Sequence, residues 1–211
     1  MLLKLDDRSI TLPDMPRPSS FPDTRAHILA TGEQLVRHKG FTALGLTELL
    51  ASAGVPKGSF YHYFDSKDAF GEALIEHYFA IYRQHLAALF ADDTLGDSRA
   101  RLIAYFERWL AAAECDPQLH TCLAVKLAAE VADYSEPMRV ALDTAMQGIV
   151  AEIARAIGAA QADGSLALCA PAAELAEQLY ARWLGASLLA KVSRSHAPLA
   201  RALQATRALL A

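Results

Sequence analysis

Apolar side chains recur along this chain at three- and four-residue intervals, and the intervals break at glycines, prolines and capping polar residues. Asp23 stands as an N-cap before a helix over about 24–38, with Ile28, Leu29, Gly32, Leu35 and Val36 as its inward stripe and Gly40 as its stop. Two short helices are predicted next, near 46–53 and 56–63. Leu46, Leu49, Leu50 and Ala53 bury one face of the first; Gly54 lets the chain leave it in a left-handed conformation. Pro56 opens the second, where proline has no intrahelical N–H bond to lose, and Phe60 and Phe64 point inward four residues apart. Asp65-Ser66 then caps a long helix over about 67–90, broken near Asp92, Asp93 and Gly96. Five further helices follow. One starts at Asp97, turns Leu102, Phe106 and Trp109 inward and ends near Cys115-Asp116-Pro117; the next holds Cys122, Leu123, Val125, Leu127 and Val131. A third runs from about Ser135-Glu136-Pro137 to Gly164, loosened around Gly158. A fourth opens at Pro171 and runs through Leu175, Leu179, Trp183 and Leu188 to about Ser193, and a last one spans Pro198 to Leu210.

The elements are all helical, and composition agrees: Ala and Leu far outnumber β-branched residues, and 53% apolar content over 211 residues is enough for a sizeable core. The expected fold class is all-α, with a three-helix head at residues 23–67 joined by the long helix to a larger body at 68–211. Pro13, Pro16, Pro18 and Pro22 make residues 1–22 a flexible arm rather than a helix. That leader lacks a sustained apolar core with a cleavage site, and no apolar run reaches bilayer-spanning length, so a cytoplasmic, membrane-free protein is expected. No metal-ligand spacing, phosphate loop or nucleophile elbow occurs, and no cofactor is called for.

The two short helices form a helix-turn-helix, whose second helix can enter a DNA major groove. The competing expectation is an ordinary helical hairpin with a solvated face. Such a face usually carries Glu, Lys and Gln. Here the outward positions are Lys57, Gly58, Ser59, Tyr61, His62 and Tyr63, which offer hydroxyls, phenols, an imidazole and room for close backbone approach. Net charge is −4, but residues 1–67 hold 8 Lys/Arg against 7 Asp/Glu, a net +1, while residues 68–211 hold 12 against 17, a net −5. Binding to double-stranded DNA through such a head rests on positioned hydrogen bonds more than on ion contacts, with a modest salt dependence.

The run GVPKGSFYHYFDSKDAFGEAL, with LLASA upstream, resembles the DNA-binding signature of the TetR family of bacterial transcriptional repressors. The resemblance covers the whole chain. CLAVKLAAEVADYSEPMR and LYARWLGASLLAKVSRS are similar to the branch that senses electrophiles and reactive chlorine. It implies phosphate or base contacts at Lys57, Gly58, Ser59, Tyr61, His62 and Tyr63, with Thr47 and Lys67 as backbone clamps. It also implies a homodimer through the last two helices, whose paired heads read a palindromic operator.

Within the body, Cys122 has Lys126 four residues on, on the same helical face. On spacing alone, a small buried hydrophobe is the ordinary fate of such a cysteine. A nearby ammonium would favour the thiolate and hence reaction with oxidants and electrophiles. The resemblance matches Cys122 to the reactive cysteine of such sensors and Lys191 to a lysine that works with it. Cys115 and Cys169 have weaker claims. Two other readings stay open: a reversible apolar ligand lodged among Tyr105, Phe106, Trp109, Tyr180 and Trp183, and a thiol enzyme using Cys122, which lacks a His at suitable spacing.

Overall fold

The computed structural model describes residues 23–115, 123–167 and 170–211. The expected arm at 1–22, the Asp116-Pro117 break, Cys122 and Cys169 lie outside the described residues.

Among the described residues the chain folds into nine α-helices and one short 3-10 turn, with no strand. The head holds α1 (Thr24–Lys39), α2 (Leu46–Ala53) and α3 (Lys57–Tyr63), and α4 (Lys67–Phe90) runs from it into the body. The body adds α5 (Ser98–Cys115), α6 (Leu123–Val131), α7 (Glu136–Ala162), α8 (Ala172–Ser193) and α9 (Ala197–Leu209).

Local chemistry explains the boundaries. Asp23 accepts a hydrogen bond from the N–H of Ala26 at 2.9 Å and Ser66 one from Ala69 at 3.0 Å, each satisfying a free donor of the first helical turn. α2 ends in a Schellman arrangement: Gly54, at φ 64°, donates to Ala51 at 3.3 Å, and Val55 donates to Leu50 at 3.1 Å. Pro56 caps α3 from just outside it, so the helix begins at Lys57. The expected loosening at Gly158 does not occur. α7 passes through it unbroken, because the flanking Ile153, Ile157 and Ala160 are buried and hold the helix against its neighbours.

α7 packs against α4, α5, α6 and α8, and α9 closes over α5 and α8. In the head, α1 lies on α2, α3 and α4. It approaches α4 closely because Gly32 faces the Phe70 ring; a β-carbon there would come within 2.4 Å of the ring's Cζ. Ile28, Leu29, Val36, Leu49, Phe60 and Phe70 fill the space between. Leu188, Leu189 and Val192 are exposed, so α8 carries a second apolar face that none of the described helices covers.

Candidate nucleic-acid interface and sensor region

Phe60 and Phe64, buried and 5.2 Å apart between ring centroids, anchor α3 on Phe70 and leave its other faces outside. Lys57, Gly58, Tyr61, His62 and Tyr63 are exposed, Ser59 is half-buried, and Thr47 is exposed near the start of α2. A β-carbon on Gly58 would meet nothing within 4 Å, so the backbone at that point is open to close approach. Tyr61 is 47% exposed although its ring meets Phe60 edge-on at 5.4 Å, and the Lys57 ammonium sits 5.7 Å from the Tyr61 centroid. His62 and Tyr63 pack edge to face at 4.7 Å. Six of the eight expected contact residues are thus exposed and Ser59 is half-buried.

Lys67, the eighth, is half-buried. Its ammonium lies 4.8 Å from the Phe41 ring centroid and donates to the Thr42 carbonyl at 3.4 Å. Burial pushes its pKa below the usual lysine range.

The α2–α3 unit is held in place from α1. His27 Nε2 donates to the Ala53 carbonyl at 2.9 Å, and Lys39 pairs with Glu48. The sequence pattern had assigned His27 no part.

On the body side, Lys126 lies on α6, one turn beyond Leu123. Its ammonium reaches the head and donates to the Arg37 carbonyl at 2.5 Å. Burial, and after it the charge of the Lys191 ammonium, pushes Lys126 below the usual lysine range. Lys191 is exposed in the last turn of α8. Glu130, one turn after Lys126, also crosses to the head: its carboxylate accepts from the Phe41 N–H at 2.7 Å and the Thr42 N–H at 3.1 Å. Sequence reasoning missed Glu130. The one available signal was that Lys126 and Glu130 are the two charges in LAVKLAAEV. Cys115, at the end of α5, is a free, exposed thiol.

The five aromatics considered as a ligand pocket pack on one another. Phe106 stacks on Trp183 at 5.0 Å, Trp109 meets Trp183 at 5.5 Å and Tyr180 at 6.1 Å, and Tyr105 lies 4.8 Å from Phe106. Trp183 Nε1 donates to Thr206 Oγ1 at 3.0 Å, tying α8 to α9.

A helix-turn-helix with an outward polar and phenolic face, carried by an all-helical body, defines a transcription regulator rather than an enzyme. Two family profiles match this chain: "Bacterial regulatory proteins, tetR family" over residues 28–74, and "Tetracyclin repressor-like, C-terminal domain" over residues 98–206. The chain belongs to the TetR family and is a DNA-binding transcriptional repressor. It is 46% identical to the HTH-type transcriptional repressor NemR of Escherichia coli over 189 residues, covering 90% of this chain and 94% of that one. The crystal structure of E. coli NemR in its reduced form superposes with a TM-score of 0.82 at 46% identity, covering 90% of this chain and 98% of that one. The transcriptional regulator AcuR of Cereibacter sphaeroides is 34% identical over 208 residues, covering 93% of this chain and 92% of that one.

Proposed function

We propose that the protein binds a palindromic operator as a homodimer and leaves it when Cys122 is modified by an electrophile or oxidant. Residues 23–67 contact the duplex through Thr47, Lys57, Gly58, Ser59, Tyr61, His62, Tyr63 and Lys67; residues 68–211 sense and dimerise. The observation that carries this reading is the layout of α6. This helix begins one residue after Cys122 in the sequence, carries Lys126, whose ammonium is acted on by the charge of Lys191, and reaches the head through the same lysine. Cys122 stands four residues before Lys126 in the sequence, and Lys126 touches the DNA-binding head.

Dimerisation is supported by the second apolar face of α8. Leu188, Leu189 and Val192 are exposed there, Val192 to 76%, and a β-carbon on Gly185 would meet nothing within 4 Å. A second copy of this face would cover them, and a two-fold axis matches a palindromic site. Lys126 and Lys191 supply positive charge that favours the Cys122 thiolate. N-ethylmaleimide adds that sulfur across its ring double bond, a proton completing the other carbon; hypochlorite transfers its oxygen to the sulfur, which becomes a two-electron-oxidised sulfenate, and its chlorine leaves as chloride. Release by a hundredfold needs about 2.7 kcal/mol of differential stabilisation, within reach of one covalent change in a packed body. The relatives supporting this reading are NemR, whose solved structure is of its reduced form, and the family as a whole.

The test compares parent and Cys122→Ser proteins on operator DNA, before and after hypochlorite or N-ethylmaleimide. The variant should remain bound under treatment that releases the parent. Equal release of both would remove Cys122 from the mechanism.

A further inference from the structure

α1 ends in an unusual way. Gly40 closes the last regular bond by donating to Val36 at 2.9 Å. The next bond of the series would run from the Phe41 N–H to the Arg37 carbonyl, and it is not made. The Phe41 N–H goes to the Glu130 carboxylate at 2.7 Å, and the Arg37 carbonyl takes the Lys126 ammonium. Both halves of a missing helix bond are thus satisfied by two side chains one turn apart on α6. Each bond has one ionised partner, the stronger kind.

The corner is built around this arrangement. Glu130 also accepts from the Thr42 N–H and, at 3.3 Å, from the Thr42 hydroxyl. Gly40 sits at φ 91°, and a β-carbon there would lie 2.3 Å from the Glu130 carboxylate, so both backbone conformation and space call for glycine. Behind it, the buried Phe41 ring meets Tyr134 edge-on at 6.1 Å, and the Asp68 carboxylate at the start of α4 pushes the Tyr134 phenol above its usual range. Immediately after the corner, Leu44 donates back to Phe41 and α2 begins at Leu46. Where the corner sits determines where α2 and α3 sit relative to the body.

We infer that Lys126 and Glu130 are positioning residues for operator recognition: together they lock the α1–α2 corner to α6 and so set the angle at which each head leaves the body. They need not touch DNA. The inference rests on the paired-head reading above, since a head angle matters only when two heads must meet one duplex at a set separation.

The test uses the full chain and the duplex that the parent selects from fragments of its own genome. Parent, Lys126→Met, Lys126→Arg, Glu130→Ala and Glu130→Gln proteins are titrated against that palindrome, against versions with the spacer changed by one or two base pairs, and against a single half-site. Thermal melts report folding. Lys126→Met and Glu130→Ala should each weaken palindrome binding by about tenfold, the loss of roughly one charge-assisted bond. They should flatten the spacer preference and leave half-site binding within about twofold of the parent. Lys126→Arg should restore affinity and spacer preference, and Glu130→Gln, which keeps an acceptor and the side-chain shape, should lose less than Glu130→Ala. Unchanged palindrome binding, or equal losses on palindrome and half-site, overturns the positioning role while leaving the paired-head reading intact. A parent with no preference for the palindrome over the half-site overturns both.

Discussion

His27 Nε2 donates to the carbonyl oxygen of Ala53 at 2.9 Å, so α1 holds the last turn of α2 just before Gly54 reverses the chain. The bond fixes the helix pair from behind and leaves its outer face free. Replacing His27 by Ala leaves an α2 carbonyl without this donor, a cost of about 1 kcal/mol. For a chain of this size the melting temperature should fall by about 3 °C, and operator affinity should fall with it. A melt and a binding titration on the same preparation check both.

Tyr61 presents its phenol to solvent while its ring rests on Phe60. Tyr61→Phe keeps that packing and removes the hydroxyl. If the hydroxyl bonds a phosphate, binding should weaken by about fivefold, the value of one hydrogen bond near 1 kcal/mol, and equally on every operator variant. A loss confined to one base substitution would reassign Tyr61 to base reading.

Trp183 is fully buried between Phe106 and Trp109 and donates to Thr206. Thr206→Val keeps the shape and leaves the indole N–H unsatisfied, which should cost about 1–3 kcal/mol in denaturant unfolding. Trp183→Ala, which also opens a cavity, should cost about 3–5 kcal/mol.

Asp163 holds the α7–α8 connection against the start of α5, accepting from Ser165 at 2.9 Å and from the Ser98 N–H at 3.2 Å. These bonds, those of Ser165 before those of Ser98, hold its carboxyl well below the usual carboxylate range. The stabilisation is present in full above the unfolded-state pKa near 4 and is lost as pH falls through the lower folded value. Asp163→Asn should therefore lose stability at neutral pH and show a shallower acid limb than the parent. Parallel acid limbs would contradict the assignment.

The helices were legible in the sequence because their ends are written locally. Asp23, Ser66, Gly40, Gly54 and Pro171 each act on the backbone within a turn of themselves. The outward face of α3 was legible for the same reason, since Phe60 and Phe64 fix which side is inside. Lys126 was harder. Its spacing suggested a partner for Cys122, yet its ammonium bonds a carbonyl 89 residues away, a pairing no helical period encodes. Glu130 was missed for the same reason, since its carboxylate bonds backbone N–H groups 88 and 89 residues away. The exposure of Leu188 was illegible for another reason: periodicity reports which positions are apolar, and does not report what covers them.

The most direct measurement is equilibrium binding of the purified, fully reduced protein to duplex fragments of its own genome. The account predicts preference for a palindromic fragment whose half-sites lie about one helical turn apart, occupied by a symmetric pair of subunits. Indifference among all fragments and random duplex under the same reducing conditions would contradict it.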